Sequence, residues 1–280
     1  MKIRLKDNTV KEYPEGMTVL DIAKDISSGL ARAALAGEVN GETVDIRKEI
    51  NEDCSLNILT FDDLEGKKAF WHTSSHIMAQ AVKKLFPNAK LAIGPAIDNG
   101  FYYDFDVDHP FSTEDLESIE KEMEKIVKEN YELKRFELPR DEAIRFMEEK
   151  GESYKVELIQ DLPEDAVISF YSQGDFTDLC AGPHIVSTGA VKAIKLLSVA
   201  GAYWRGSEKN KMLQRIYGIT FPKKSQLDEY LARLEEAKKR DHRKIGKDLD
   251  LFSIQEEGPG FPFFHPKGMV IRNQLEDFWR

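Results

Sequence analysis

Short apolar stretches alternate with polar turns along the first sixty residues of the chain. The stretches Ile3–Leu5 and Val10–Tyr13 predict two strands, because each is short and bounded by polar residues. The segment between them, Lys6–Thr9, predicts a turn. Thr18, followed three residues later by Asp21, resembles a capping box and predicts the start of a helix.

A second hairpin is indicated by Asn40-Gly41 within Val39–Val44, since this dipeptide favours the positive φ angles of a type I′ turn. A further strand is predicted over Leu56–Leu59. Two strands, a helix and more strands in so short a span predict a small mixed sheet with a helix on one face. This is the β-grasp, or ubiquitin-like, arrangement, and residues 1–62 are predicted to form one such domain.

The next segment mixes helical periodicity with strands. Apolar residues at helical spacing predict helices over Ala69–Phe86, which Pro87 ends, Thr113–Asn130 and Arg140–Lys150. Strands are predicted over Gly100–Phe105, Val167–Tyr171, Phe176–Leu179, Ile194–Val199, Ala202–Trp204 and Leu213–Ile219. The mixture predicts a second α+β domain over residues 63–224.

The pattern changes again beyond residue 224. A charged helical stretch from Ser225 to about Lys247 predicts a connector, with a linker helix over residues 225–243. The segment Gly258–Gly268, rich in glycine, proline and phenylalanine, and an apolar helix starting at Met269 predict the opening of a third domain, residues 244–280. The predicted fold class is therefore α+β with several domains.

Composition narrows the classes of protein. No apolar stretch approaches the roughly 20 residues of a membrane span, and the charged start Met1–Asp7 does not resemble a secretory signal, so we expect a soluble, cytoplasmic protein. Cys54 and Cys180 are the only cysteines, and their separation predicts two free thiols.

Charge is unevenly distributed along the chain. The formal net charge is −10, which argues against binding of nucleic acid by the whole surface. Between residues 188 and 224, however, one acidic residue, Glu208, stands against eight basic residues: Lys192, Lys195, Arg205, Lys209, Lys211, Arg215, Lys223 and Lys224. Ordinary charge scatter and an RNA-facing patch both fit this excess.

Two short motifs bring candidate chemistry. His72 and His76 lie at helical i, i+4 spacing and therefore share one helix face. Cys180 and His184 lie in a segment with glycine and proline, Asp178–His184, where a tight loop can aim side chains. The four residues are compatible with a tetrahedral metal site or with a cleft that handles protons. The alternative is a buried cysteine and a core histidine without function.

The order of these motifs resembles bacterial-type threonyl-tRNA synthetases. The resemblance rests on His72-x-x-x-His76, Gly100–Asp104, Asp178-x-Cys180-x-x-x-His184 and Arg240–Gly246, and it covers essentially the whole chain. It implies a TGS domain, then a proofreading domain shared with alanyl-tRNA editing proteins, a linker helix and the start of a class II catalytic domain.

The resemblance also implies roles for individual residues. His72, His76, Cys180 and His184 are expected to line the proofreading cleft and to act in catalysis. Three more positions are expected to contribute, namely Asp178 as a contact for the seryl ammonium group or a water, Lys155 in proton transfer or ribose binding, and Tyr103 by packing against the substrate. A solvated helix lysine and a core aromatic residue remain the alternatives for Lys155 and Tyr103. No metal ligand is assigned, although alanyl editing proteins bind zinc at such positions.

The implied activity is ATP-dependent attachment of threonine to tRNA(Thr), with hydrolysis of mischarged seryl-tRNA(Thr). A methylene group gives a binding pocket only about 1–3 kcal/mol of discrimination, so a second site is needed to reject serine. The implied partners are tRNA(Thr), threonine and ATP, with a homodimer in the full-length enzyme. The resemblance places Zn²⁺ and Mg-ATP in a catalytic domain that continues past Arg280, and leaves the editing deacylase as the expected activity of this chain.

Three rival functions stay open from the sequence. A zinc hydrolase unrelated to tRNA would use the same His/Cys cluster. A free-standing tRNA-editing deacylase would need no catalytic domain. A TGS-containing RNA-binding regulatory protein would explain the first domain but not the cluster.

Overall fold

The first sixty residues fold into a five-stranded sheet that one helix covers. A computed structural model describes residues 1–279. The elements of this segment are β1 (Lys2–Leu5), β2 (Val10–Glu12), β3 (Met17–Thr18), α1 (Val19–Ile26), α2 (Ser28–Ala33), β4 (Ala36–Val39), β5 (Glu42–Val44), β6 (Glu49–Ile50) and β7 (Cys54–Leu59). The strand order is β2-β1-β7-β4-β5, with β1 parallel to β7 and the other pairs antiparallel. The apolar face of α1, including Val19 and Ile22, packs into the core with Ile3 and Leu56.

Two local predictions in this segment, the helix cap at Thr18 and the turn at Asn40-Gly41, are confirmed. The Thr18 side chain accepts a hydrogen bond from the Asp21 amide and caps α1. Asn40 and Gly41 have φ angles of 51° and 87°, as a type I′ turn requires. The sequence did not predict α2, a six-residue helix without any buried residue that could give it an apolar pattern.

Residues 64–221 form the second folded segment. Its elements are α3 (Leu64–Leu85), β8 (Lys90–Leu91), β9 (Ala96–Ile97), β10 (Gly100–Asp106), α4 (Thr113–Glu129), β11 (Leu133–Glu137), α5 (Arg140–Glu149), α6 (Ser153–Asp161), β12 (Ser169–Gln173), β13 (Phe176–Leu179), β14 (Ala193–Tyr203) and β15 (Met212–Phe221). One sheet has the order β14-β15-β10-β8, with β9 beside β10, and a second sheet has the order β11-β12-β13. Helix α3 packs against α4 as well as against β10, β9 and β15, so its residues from Thr73 to Val82 are all buried.

Two predicted boundaries in this segment are wrong. Helix α3 begins at Leu64, five residues before the predicted start, and Gly66 in its first turn lies so close to the Thr60 carbonyl that a Cβ atom would not fit. The two strands predicted over residues 194–204 are one strand, β14, with an irregularity between Leu196 and Ser198. Glycine and alanine at its centre weakened the strand signal there.

The chain divides into two compact units, Met1–Lys224 and the residues from Ser225 onward. The second unit contains most of α7 (Lys224–Lys239), then α8 (His242–Asp248), β16 (Phe252–Ile254), β17 (Pro262–Phe264) and α9 (Pro266–Trp279). The prediction of one helix over residues 225–247 is wrong, because the helix is interrupted at Arg240 and Asp241, where the Asp241 side chain caps α8. Arg280, the last residue of the predicted third domain, lies outside the described residues.

Helix α9 begins at Pro266, three residues before the predicted start at Met269, which fits the preference of proline for the first helical turn. Within residues 1–279, none of the helices combines the length and the apolar character that crossing a membrane requires.

Candidate active site

Three histidines and one cysteine converge where α3 faces the loop after β13. Helix α3 carries His72 and His76, and the loop carries Cys180 and His184. The candidate ligand atoms of all four side chains lie within 4.8 Å of one another. The thiol Sγ lies 3.3 Å from His72 Nε2 and 3.1 Å from His184 Nε2. The structure therefore brings together the four residues that the two motifs had nominated.

The loop reaches the helix because its backbone turns tightly at glycine. Gly182 has a φ of 79°, a conformation that residues with a side chain rarely adopt. A Cβ atom there would lie 2.3 Å from the Tyr171 hydroxyl, so the position has no room for one. The Gly182 amide also donates to the Cys180 thiol at 3.3 Å, which fixes the sulfur at the start of the turn.

The hydrogen bonds of Thr73 define which nitrogen of His184 carries the proton. The Thr73 hydroxyl donates to the Ala69 carbonyl and accepts from the Ile185 amide. Its oxygen lies 3.1 Å from His184 Nδ1. Since the only hydroxyl hydrogen is already donated, His184 Nδ1 must be the donor to Thr73. This leaves a lone pair on Nε2, which faces Cys180. No sequence signal identifies Thr73, because His184 and Ile185, its partners in the loop, are far away along the chain.

Burial divides the cluster into an inner and an outer part. His76 and His184 are buried, whereas His72 and Cys180 are partly exposed. Burial lowers the pKa of His72 to about 4 and that of His76 to about 3, and it lowers the pKa of His184 well below its ordinary value. It also raises the pKa of the Cys180 thiol to about 12. At neutral pH the cluster therefore holds three neutral imidazoles and a protonated thiol.

A buried ion pair lies beside the histidines. Lys155 Nζ is 2.7 Å from Asp178 Oδ1, and His76 Nε2 is 3.8 Å from Asp178 Oδ2. Burial alone would raise the pKa of Asp178, but the Lys155 ammonium, His76 and a hydrogen bond from Tyr103 outweigh it and hold this pKa below its ordinary value. Tyr103 donates that bond over 2.5 Å.

The burial of Lys155 and Tyr103 bears on the alternatives that the sequence left open for these two residues. Lys155 lies on α6 and is 3% exposed, so the interpretation as a solvated helix lysine is wrong. No helix was predicted over residues 153–161, where α6 lies. Tyr103 is fully buried and belongs to the core of the sheet, where it contacts Asp178. A direct contact of Tyr103 with a substrate stays a prediction.

The donor set of the cluster fits a tetrahedral metal ion. Three neutral imidazoles and a cysteine sulfur, which would release its proton on binding, are ligand types that zinc prefers, and usual bond lengths place such ligand atoms about 3.4–3.6 Å apart on the ion. The two sulfur–nitrogen distances, 3.1 and 3.3 Å, are near that value. The bond from His184 Nδ1 to Thr73 also resembles the outer hydrogen bond that orients a histidine ligand. His72, His76, Cys180 and His184 could therefore hold a metal.

Much of the positive charge between residues 188 and 224 is paired with carboxylates. Four of the eight basic side chains form ion pairs: Lys195 with Glu120, Arg205 with Glu157 and Asp161, Lys211 with Asp106, and Arg215 with Asp104. The Arg215 guanidinium binds Asp104 through two nitrogens and lies 3.7 Å from the centre of the Tyr102 ring. These pairs reduce the charge available to a polyanion and favour the interpretation as ordinary scatter.

Comparisons with known proteins agree with the motifs. Residues 1–60 match the family described as TGS domain, and residues 168–217 match the threonyl and alanyl tRNA synthetase second additional domain. Over its full 280 residues the chain is 70% identical to the threonine-tRNA ligases of Acetivibrio thermocellus and Caldanaerobacter subterraneus subsp. tengcongensis. It is 68% identical to threonine-tRNA ligases of Clostridium botulinum. The chain spans 44% of the length of each of these relatives.

Proposed function

Since the chain corresponds along its whole length to the N-terminal part of bacterial threonine-tRNA ligases, we propose that it is the proofreading part of such an enzyme. The proposed reaction is hydrolysis of the ester that joins serine to the terminal ribose of tRNA(Thr). The observation that carries the proposal is the convergence of His72, His76, Cys180 and His184 beside the buried pair of Lys155 and Asp178.

The proposed chemistry uses neutral imidazoles as proton acceptors. Water attacks the ester carbonyl, a carbon–oxygen bond to water forms, and the bond to the ribose oxygen breaks. One proton leaves the attacking water and one proton reaches the leaving oxygen, so the cluster needs a base and an acid. The neutral rings of His72 and His184 supply acceptor nitrogens, and the imidazolium that has taken the proton from water then donates it to the leaving ribose oxygen. The Lys155 ammonium supplies positive charge near the developing oxyanion.

The same geometry supports recognition of a small amino acid. Asp178 is ionised and its Oδ2 atom lies 3.8 Å from His76 Nε2, so we propose its carboxylate as the acceptor for a serine ammonium group or for the attacking water. Its other contacts, Lys155 and Tyr103, fix both carboxylate oxygens. We propose that the site excludes the extra methyl group of threonine by overlap, which is a stronger discrimination than the methyl group offers by binding.

A zinc ion is a second candidate for the source of the activated water. When bound by His72, His76, Cys180 and His184, zinc would polarise a carbonyl or acidify a water. Hydrolysis without metal, with Lys155 assisting proton transfer or holding the ribose, follows from the resemblance to threonyl enzymes. Deacylation measured before and after removal of metal by a chelator distinguishes the two mechanisms.

The remaining expectations concern the longer protein. Residues 1–62 are proposed as a TGS domain with β-grasp topology, residues 63–224 as the editing domain, residues 225–243 as the linker and residues 244–280 as the start of a class II catalytic domain. The mixed sheet with a parallel β1–β7 pair supports the first assignment. ATP-dependent ligation of threonine to tRNA(Thr), homodimer formation, and use of Zn²⁺ and Mg-ATP are proposed for the whole enzyme.

The test is deacylation by the purified 280-residue chain. The expected result is hydrolysis of seryl-tRNA(Thr), with threonyl-tRNA(Thr) left largely intact. Equal rates on the two esters would contradict the proposed selectivity. No hydrolysis of either ester, with or without added zinc, would contradict the proposed activity. A zinc hydrolase unrelated to tRNA would instead cleave simple esters and ignore the tRNA.

A further inference from the structure

The turn after β5 contacts the loop that carries His184, although the two are about 140 residues apart along the chain. The Arg47 guanidinium donates to three successive carbonyls of that loop, those of His184 at 3.3 Å, Ile185 at 2.8 Å and Val186 at 3.1 Å. A planar guanidinium with five N–H donors is suited to such a row of acceptors.

Asp45 contacts the other side of the same loop. Its Oδ2 atom accepts from the His184 amide at 3.1 Å and from the Tyr171 hydroxyl at 2.8 Å. Its Oδ1 atom lies 2.9 Å from Arg47 Nη1, so the two residues form one charged unit. The Tyr171 ring in turn lies 4.4 Å from the imidazole of His184. Both charged side chains are largely buried, at 13% exposed for Asp45 and 24% for Arg47.

His184 is thus fixed from four directions. Asp45 holds its amide, Arg47 holds its carbonyl, Thr73 holds Nδ1, and the Tyr171 ring makes a T-shaped contact with its imidazole. Three of these contacts involve the pair of Asp45 and Arg47, directly or through Tyr171. Charge-assisted hydrogen bonds of this kind are about twice as strong as neutral ones.

We infer that Asp45 and Arg47 are positioning residues of the His/Cys site, which makes the N-terminal sheet a structural part of that site. Neither residue touches the reacting atoms. They act by keeping His184 Nε2 directed at the cleft and Cys180. This inference rests on the proposed hydrolytic function and adds to it a role for residues 45–47, which lie outside the segment that carries the cluster.

The alternative is that the contacts only join two folded segments. A joining role would affect stability and leave the rate per folded molecule unchanged. A positioning role lowers the rate of the chemical step without weakening substrate binding, because a displacement of about 1 Å at a catalytic group can cost on the order of 100-fold. Single-turnover kinetics separate the two, since they report the rate constant at saturation and the half-saturating concentration independently.

The experiment compares four variants of the whole chain with the unchanged protein, using seryl-tRNA(Thr) as the probe. Arg47→Ala removes all three donations, and Arg47→Lys restores the charge with fewer fixed donors. Tyr171→Phe keeps the ring beside His184 and removes only the hydroxyl that donates a hydrogen bond to Asp45. Lys48→Ala is the matched control, because Lys48 is the next residue on the same turn and its side chain is exposed.

The inference predicts a saturating rate constant lowered about 10-fold or more in Arg47→Ala, with the half-saturating concentration of tRNA unchanged. Arg47→Lys should recover part of the loss, Tyr171→Phe should lose rate in the same sense, and Lys48→Ala should match the unchanged protein. Full activity of folded Arg47→Ala, or equal losses in Arg47→Ala and Lys48→Ala, would overturn it. Where Arg47→Ala does not fold, full activity of Tyr171→Phe and Arg47→Lys would overturn it.

The same experiment distinguishes failure of the positioning role from failure of the proposed hydrolysis. An inactive unchanged chain contradicts the proposed hydrolysis and therefore this inference with it. An active unchanged chain with insensitive variants contradicts only the positioning role of Asp45 and Arg47.

Discussion

Lys155 Nζ and Asp178 Oδ1 lie 2.7 Å apart in a place where both side chains are almost completely buried. Transferring two charges from water to a protein interior is costly, and their mutual attraction offsets the cost only when both are present. The pair is therefore a sensitive point of the fold as well as of the candidate site.

Replacing Lys155 by methionine should destabilise the protein by about 3–5 kcal/mol, because the Asp178 carboxylate would remain buried without its partner. Urea unfolding measures the change. The control is Lys24→Met, which removes an exposed ion pair with Asp21 and should cost no more than about 0.5 kcal/mol. Lys155→Met with Asp178→Asn should cost less than the sum of the single changes, and simple additivity would contradict the coupling.

Acid should weaken the fold before any carboxylate is titrated. Burial places the pKa values of His72, His76 and His184 below 6.5 in the folded chain, so the unfolded chain binds more protons below that pH. Stability should be unaffected above about pH 7 and should fall as the pH drops towards about 5, by more than the 1.4 kcal/mol per pH unit of a single proton. Asp178, whose pKa is depressed below 3.8, loses its contribution only at still lower pH.

Urea unfolding at several pH values, in the presence of a chelator, checks this slope. His76→Gln should flatten it, because one buried imidazole is removed. A stability that rises between pH 7 and pH 5 would contradict the neutral, buried state of the histidines.

Cys180 should react slowly with alkylating agents despite its partial exposure. A thiol pKa of about 12 leaves little thiolate at pH 8, and the reaction should be on the order of 10³-fold slower than that of a free cysteine. The measurement is iodoacetamide labelling of chelator-treated protein with Cys54→Ala, which leaves Cys180 as the single thiol. Labelling at the rate of free cysteine would show that the thiol is ionised in its surroundings.

Loss of one imidazole from the cluster should lower deacylation of seryl-tRNA(Thr) by about 100-fold or more, the usual effect of removing a positioned acid or base. His72→Ala and His184→Ala test the outer and the inner imidazole. His109→Ala is the matched control, since it removes an exposed imidazole from outside the site. Activity within a few-fold of the unchanged protein in His184→Ala would contradict a catalytic role for the cluster.

Chelation distinguishes the two mechanisms for activating water. Without a metal requirement, dialysis against a chelator should leave deacylation unchanged, and we expect this result from the resemblance to threonyl enzymes. Stoichiometric zinc in the purified chain, lost together with activity and restored by added zinc, would contradict that expectation. The four residues of the cluster would then be metal ligands, a role that their mutual distances also allow.

The sequence was informative where a signal is local. The spacing of His72 and His76 predicted a shared helix face, and Asn40-Gly41 predicted a turn, because each depends on a few neighbouring residues. The environment of Lys155 could not be predicted this way, since a lysine in a short amphipathic segment is ordinarily solvated and its partner is 23 positions away. Asp45, Arg47 and Thr73 gave no signal, because contacts across the fold determine what they hold.

The parallel pairing of β1 with β7 has a consequence for synthesis of the protein on the ribosome. β1 is made before its parallel partner, which is complete only at Leu59, so the sheet cannot close while the intervening residues are still being added. The His184 loop, which the same sheet contacts through Arg47, is made more than a hundred residues later. During translation, the nascent chain therefore contains the turn with Asp45 and Arg47 well before the His184 loop that this turn contacts has been made.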